Sequence, residues 1–232
     1  MTTRLLLLPG VGADWRLYDE QRSCAADLHV IEWIQPVAAD EPLTDYAKRL
    51  AATIDMPRPF VLGGTSFGGM VALELARHLQ PDAVILIGSC RSPSSLPSSY
   101  RFLRACSDLV PDVLLERSFA ASPLIASRFG VRSREHRRLF SDMLRQTPPS
   151  FVRWATRAIF GWPGIDELPV PIRHIHGEDD RIIPLRCVRP DVVVKRAGHM
   201  LSVTHPAEVN SFIDAATSSI ACRTFAEGSL NY

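Results

Sequence analysis

Six short, nearly unbroken apolar runs punctuate the chain, and segments with helical spacing fill most of the distance between them. Leu5–Leu8, Val30–Trp33, Phe60–Leu62, Val84–Ile87, Ile172–Ile175 and Val192–Val194 are too short for core helices. Their continuous apolarity suits strands buried on both faces. Such strands belong to a parallel sheet covered by helices, because each return to a parallel neighbour needs a crossover. The expected class is α/β.

The intervening segments support this class. Leu43–Ile54 places Leu43, Tyr46, Ala47, Leu50 and Ile54 along one helical stripe, with Asp45, Lys48 and Arg49 elsewhere on the wheel. Met70–Leu79 is apolar nearly all round, which predicts a helix packed closely on the sheet. Pro206–Ala216 predicts a last helix with Pro206 in its first turn. After the fourth run the alternation stops. Ser92 to Ser99 is a Ser/Pro-rich loop, and residues 100 to about 161 carry helical spacing, broken at Pro111, Pro123, Gly130 and Pro148-Pro149. The expected organisation is a core of residues 1–91 and 162–232 with a helical cap at 92–161.

Composition narrows the function classes. With 232 residues, 46% of them hydrophobic, the chain can bury one sizeable core. A formal net charge of +1 and the lack of a lysine-rich run argue against nucleic acid as a partner. The five cysteines, Cys24, Cys90, Cys106, Cys187 and Cys222, are odd in number and form no C-x-x-C pair, as expected of reduced thiols in the cytoplasm. Leu5–Leu8 is too short for a signal-peptide core or a membrane span, so no membrane partner is expected.

The third run leads directly into Gly64-Thr65-Ser66-Phe67-Gly68, and the small-residue helix follows at once. A G-x-S-x-G at a strand-to-helix turn holds its serine in a strained conformation at the carboxyl edge of the sheet. The bland alternative is a glycine-rich turn with a capping serine. A serine hydroxyl is a weak nucleophile until a base removes its proton, and the base needs a carboxylate to orient it. His199, in Ala197-Gly198-His199-Met200, follows the last run on a loop at the same edge. His29 and His78 flank elements far from that edge, His136 lies among cap arginines, His174 and His176 lie on the fifth run, and His205 opens a helix. The fifth run ends in His176-Gly177-Glu178-Asp179-Asp180-Arg181-Ile182-Ile183-Pro184, which offers three carboxylates. Asp180 is preferred, because the order Ser, Asp, His goes with this kind of elbow; Asp179 is the alternative.

An attacked carbonyl needs two donors for its developing oxyanion. The Phe67 amide, at a helix start, is one candidate. The Val11 amide, in Leu8-Pro9-Gly10-Val11-Gly12 after the first run, is the other.

Taken together, Pro9-Gly10-Val11-Gly12, Gly64-Thr65-Ser66-Phe67-Gly68-Gly69, the stretch from His176 to Pro184, and Gly198-His199-Met200 resemble the α/β-hydrolase superfamily from the first strand to the last helix. The resemblance implies a six-stranded, mainly parallel sheet of order 2-1-3-4-5-6 with a helical cap after the fourth strand. It implies that the family's antiparallel N-terminal hairpin is missing, and that the family's acid falls on Asp180. Pro9 stands where the family often has histidine, which alters the hydrogen bonding of that turn. A serine at the elbow argues against the branches with an aspartate nucleophile.

Within the superfamily the short chain and helical cap look most like small carboxylesterases, including those acting on a pimeloyl-acyl-carrier-protein methyl ester. That implies cleavage of a small-molecule ester or thioester through an acyl-enzyme, with no metal or organic cofactor. Trp154 and Phe119 are expected to line the acyl pocket. An acyltransferase, a cofactor-free lyase, a perhydrolase or a slow-turnover ligand receptor fits the same constellation. From Arg91 to Arg157 there are twelve arginines against five acids, a charge that would attract an anionic substrate or an acidic carrier protein to the cap; an ordinary solvated helix surface explains the arginines equally well.

Overall fold

Along the first strand, Leu5 and Leu7 turn to one face of the sheet and Leu6 and Leu8 to the other, and all four are buried. That two-sided burial is what the unbroken apolar runs predict. The computed structural model describes residues 3–23, 27–97 and 122–228.

The strands are β1 (Arg4–Leu8), β2 (Asp27–Val30), β3 (Phe60–Thr65), β4 (Ala83–Ile87), β5 (Ile172–Gly177) and β6 (Val192–Val194). They form a six-stranded sheet of order β2-β1-β3-β4-β5-β6. Every pairing is parallel. On one face lie α1 (Leu43–Ala51) and α2 (Phe67–Leu79), packed through Tyr46, Leu50, Val71 and Leu75 on Leu6, Leu62 and Leu86. On the other lies α7 (Pro206–Gly228), whose Val209, Phe212, Ile213 and Ala216 recur at helical spacing and cover Leu5, Val61 and Ile85. Fully burying one such side chain contributes about 1.5–3 kcal/mol.

The second strand is displaced from its expected place at Val30–Trp33. It pairs through Asp27–Val30, an edge segment of alternating partial exposure. Ile31 ends the strand by donating its amide to Leu7 O at 2.9 Å. Trp33 leaves the sheet altogether, and its ring packs 5.4 Å from Phe67 and 5.7 Å from Phe151. The apolar residues there serve helix packing rather than pairing.

Between β4 and β5 the described residues form α3 (Ser122–Arg128), α4 (Arg134–Gln146) and α5 (Pro149–Gly161). The Ser133 hydroxyl caps α4 by accepting the His136 amide at 3.0 Å, and Pro149 opens α5 with its fixed φ. A short α6 (Leu201–Thr204) precedes α7. No helix among the described residues is long and apolar enough to cross a membrane.

Candidate active site

Ser66 sits between β3 and α2 with φ +55° and ψ −120°, a region that costs a non-glycine residue about 1–3 kcal/mol. The turn is held from both sides. The Ser66 amide donates to Ile87 O at 3.1 Å, and the Ser89 hydroxyl donates to Ser66 O at 2.6 Å. Its glycines are sterically obligatory: a Cβ on Gly64 would lie 2.4 Å from Gly68 C, and one on Gly68 would lie 2.1 Å from Leu8 O. Tyr18 braces the elbow from the opposite face, its hydroxyl 2.7 Å from Leu8 O and 2.9 Å from Thr65 Oγ1.

His199 follows β6 and Asp180 follows β5, and both are buried at the carboxyl edge beside Ser66. Ser66 Oγ lies 2.9 Å from His199 Nε2, and His199 Nδ1 lies 2.7 Å from Asp180 Oδ2. With a hydrogen on Nδ1 the imidazole donates to the carboxylate and presents a bare Nε2 to the hydroxyl. On the same turn Asp179, the alternative acid, and Glu178 are exposed.

Asp180 accepts on both oxygens. Oδ1 takes the amides of Ile182 at 2.7 Å and Ile183 at 2.9 Å, while Oδ2 takes His199 and lies 3.3 Å from His176 Nε2. Burial works to raise its pKa. The adjacent His199 and the hydrogen bonds from His176 and His199 outweigh that effect and hold the carboxyl below its ordinary 3.8.

Phe67 begins α2 and Val11 lies in the turn after β1. Among the described residues neither amide donates to a protein acceptor. The two segments meet at the elbow, where a Cβ on Gly10 would lie 3.5 Å from Ser66 Cβ. Above them opens a cavity of about 400 Å³, walled by apolar side chains such as Ile125, Phe140, Met143, Leu144 and Ile159, with Ser66 and His199 at its base. Arg153 brings a permanent positive charge to the wall.

Trp154 does not line this cavity. It is 1% exposed, stacks 4.2 Å from Tyr46, and donates Nε1–H to Glu41 O at 2.9 Å, so it fastens the cap to the core. Phe119 lies outside the described residues.

A family model described as the alpha/beta hydrolase family matches residues 5–212. The chain belongs to that family. No curated protein matches it by sequence. Among solved structures, this alpha/beta hydrolase is similar to a thermophilic esterase from Thermogutta terrifontis, at 20% identity and a TM-score of 0.70 over 95% of this chain and 91% of that one. It is similar to MenH from S. aureus, at 19% identity and a TM-score of 0.72, over 95% and 96% of the two chains. A hydrolase from Oleispira antarctica aligns at 12% identity and a TM-score of 0.76, over 94% and 92%.

Two parts of this hydrolase's site escape a reading of the sequence. The ring of Phe129, after α3, meets His199 edge-on at 5.4 Å, and Phe129 O accepts the Met200 amide at 3.1 Å. The backbones press together just beside it, where a Cβ on Gly198 would lie 2.5 Å from Gly130 Cα. The second part is His176, behind Asp180; the period of two on β5 puts it on the same strand face as His174, the one available signal.

Proposed function

We propose that the chain is a serine esterase that cleaves a carboxylic ester or thioester through an acyl-enzyme. The observation that carries this reading is the unbroken series of hydrogen bonds from Ser66 through His199 to Asp180, at 2.9 and 2.7 Å, beneath an apolar cavity. Relatives described as an esterase and a hydrolase agree with it.

In the proposed mechanism Ser66 Oγ attacks the acyl carbon while His199 Nε2 takes the hydroxyl proton. Asp180, held ionised, stabilises the imidazolium. The Val11 and Phe67 amides hold the oxyanion, and each such donor is worth about 10²–10³ in rate. Collapse breaks the bond to the leaving alcohol or thiol, which departs with the proton from His199. Water then attacks the acyl-enzyme, gives its proton to His199, and the acid leaves as Ser66 recovers its own. These steps use water and the chain's own groups.

The apolar cavity supports an acyl group that is largely hydrocarbon. We place the activity in the cytoplasm, where the free thiols of Cys90 and Cys187 suit the redox conditions. From 122 to 161 there are eight arginines against two acids, which supports an anionic substrate or an acidic carrier protein as the partner.

Ser66→Ala tests the reading. It is expected to abolish turnover of short p-nitrophenyl esters and labelling by a fluorophosphonate, with an unchanged circular dichroism spectrum. Full activity in that variant removes the nucleophile assignment. Product analysis with added alcohols and thiols separates hydrolysis from acyl transfer: acyl products made in preference to the free acid overturn the hydrolytic step.

A further inference from the structure

Behind Asp180 stands a pair of buried imidazoles that the proposed mechanism does not use. His174 and His176 lie two residues apart on β5 and share a face of the strand; both are buried. His176 Nε2 is 2.7 Å from Ile183 O and 3.3 Å from Asp180 Oδ2. A carbonyl oxygen only accepts, so this nitrogen carries a hydrogen, which it donates to Ile183 O with the Asp180 carboxylate oxygen close beside it. On the other side of the ring, His176 Nδ1 lies 3.1 Å from His174 Nε2.

We propose that His176 is a positioning residue for Asp180 and His199, with His174 fixing the orientation of its ring. The inference rests on the esterase reading. His176 acts at two points of one turn: its Nε2–H steadies Asp180 Oδ2, the oxygen that faces His199, and it ties down Ile183, whose own amide holds Asp180 Oδ1. His174 suits the supporting role because burial, followed by His176 and Arg91, pushes its pKa down to about 3, so it is neutral near pH 7.

Removing the His176 donor leaves Oδ2 with His199 alone, and two effects follow. The carboxylate is less confined, so fewer molecules hold the imidazole in line with Ser66. Its charge also falls more fully on the imidazolium, which favours protonated His199. The first effect lowers kcat and leaves KM, because His176 is absent from the cavity wall. The second moves the acid limb of kcat/KM to higher pH.

Other groups face this cluster from the surrounding elements. They are the Ser66 hydroxyl at the elbow, Cys90 and Arg91 after β4, and Asp191 before β6, whose Oδ2 accepts the His174 amide at 2.7 Å. Burial pushes the Cys90 thiol up to about 12, so it stays protonated across the assay range.

The test compares His176→Phe, which keeps a ring without its nitrogens, with His176→Gln, whose side-chain amide extends a donor toward the Nε2 position. Expected for His176→Phe is a kcat about tenfold lower on a short p-nitrophenyl ester, with KM within about twofold and the acid limb moved up. His176→Gln recovers most of the kcat. A folded His176→Phe protein with unchanged kcat and acid limb overturns the proposal, as does a His176→Gln protein no better than His176→Phe. Imidazole nitrogen-15 spectra of the unsubstituted protein need no variant to fold: a bare Nε2 on His176 also overturns it. Ser66→Ala in the same assay separates the two readings. Activity retained there removes the esterase itself, whereas activity lost there beside an unaffected His176→Phe removes only the positioning role.

Discussion

A methyl group on Gly68 would lie 2.1 Å from the carbonyl oxygen of Leu8, well inside van der Waals contact. Because that oxygen belongs to a buried central strand, it has no room to retreat. Gly68→Ala is therefore expected to destabilise the fold by about 3 kcal/mol or more, or to prevent soluble expression. Urea denaturation measures this; an unchanged midpoint would show that the elbow and β1 can separate cheaply.

His174 makes stability depend on pH. Its pKa is lowered from 6.5 to about 3, by burial first and then by His176 and Arg91. The unfolded chain binds a proton there as pH falls through 6.5, while the folded chain does not until about 3. Its contribution is thus complete above 6.5 and is lost progressively below. Between there and about pH 4 the expected loss is about 3 kcal/mol. Asp180, with its pKa held below 3.8, adds stability that is present above that value and is lost only in stronger acid. His174→Phe should therefore flatten urea midpoints between neutral pH and about pH 4 and leave the steeper acid loss in place. Parallel slopes for the two proteins over the milder range would contradict the His174 assignment.

Ile125 lies on the cavity wall and is only partly buried, so a larger side chain there takes up space in the proposed acyl site. Ile125→Trp is expected to lower kcat/KM for long-chain p-nitrophenyl esters relative to acetate by about tenfold or more, since each excluded methylene is worth about 1–3 kcal/mol. The check is the series of rates against acyl length. A profile that keeps its maximum would move the acyl site elsewhere.

The cap arginines predict a response to salt. Arg138 is 87% exposed in its side chain and only 4.0 Å from Asp142, a contact too loose and wet to neutralise it. Raising ionic strength should reduce kcat/KM for an anionic ester several-fold and leave a neutral ester of equal length unchanged. Equal responses would reduce these residues to an ordinary solvated surface.

Much of this was legible because the relevant constraints are local. Continuous apolarity marks strands such as Val84–Ile87 whatever their neighbours, and an elbow requires glycine at 64 and 68 regardless of the cap above it. The errors fall where tertiary partners decide. Ile31 and Trp33 look like strand residues, yet an edge strand has one neighbour, and Trp33 packs instead into the aromatic cluster of Phe67 and Phe151. Trp154 has the size and apolarity of a pocket residue; only the direction of α5 turns it inward to Tyr46. His176 looked like a plain strand residue, because its contact with Asp180 depends on how the turn of 180–183 curls back beneath it.

The junction of Phe129 and Gly130 with Gly198 and Met200 ties the roof of the cavity to the loop that carries the imidazole. On the proposed reading, specificity and basicity are consequently inherited as one part. Redesign confined to side chains of α4 and α5 can reshape the chamber and spare His199. Grafting a foreign segment between α3 and α4 would disturb both at once, unless the graft brings its own carbonyl for Met200 and a residue as small as glycine opposite Gly198.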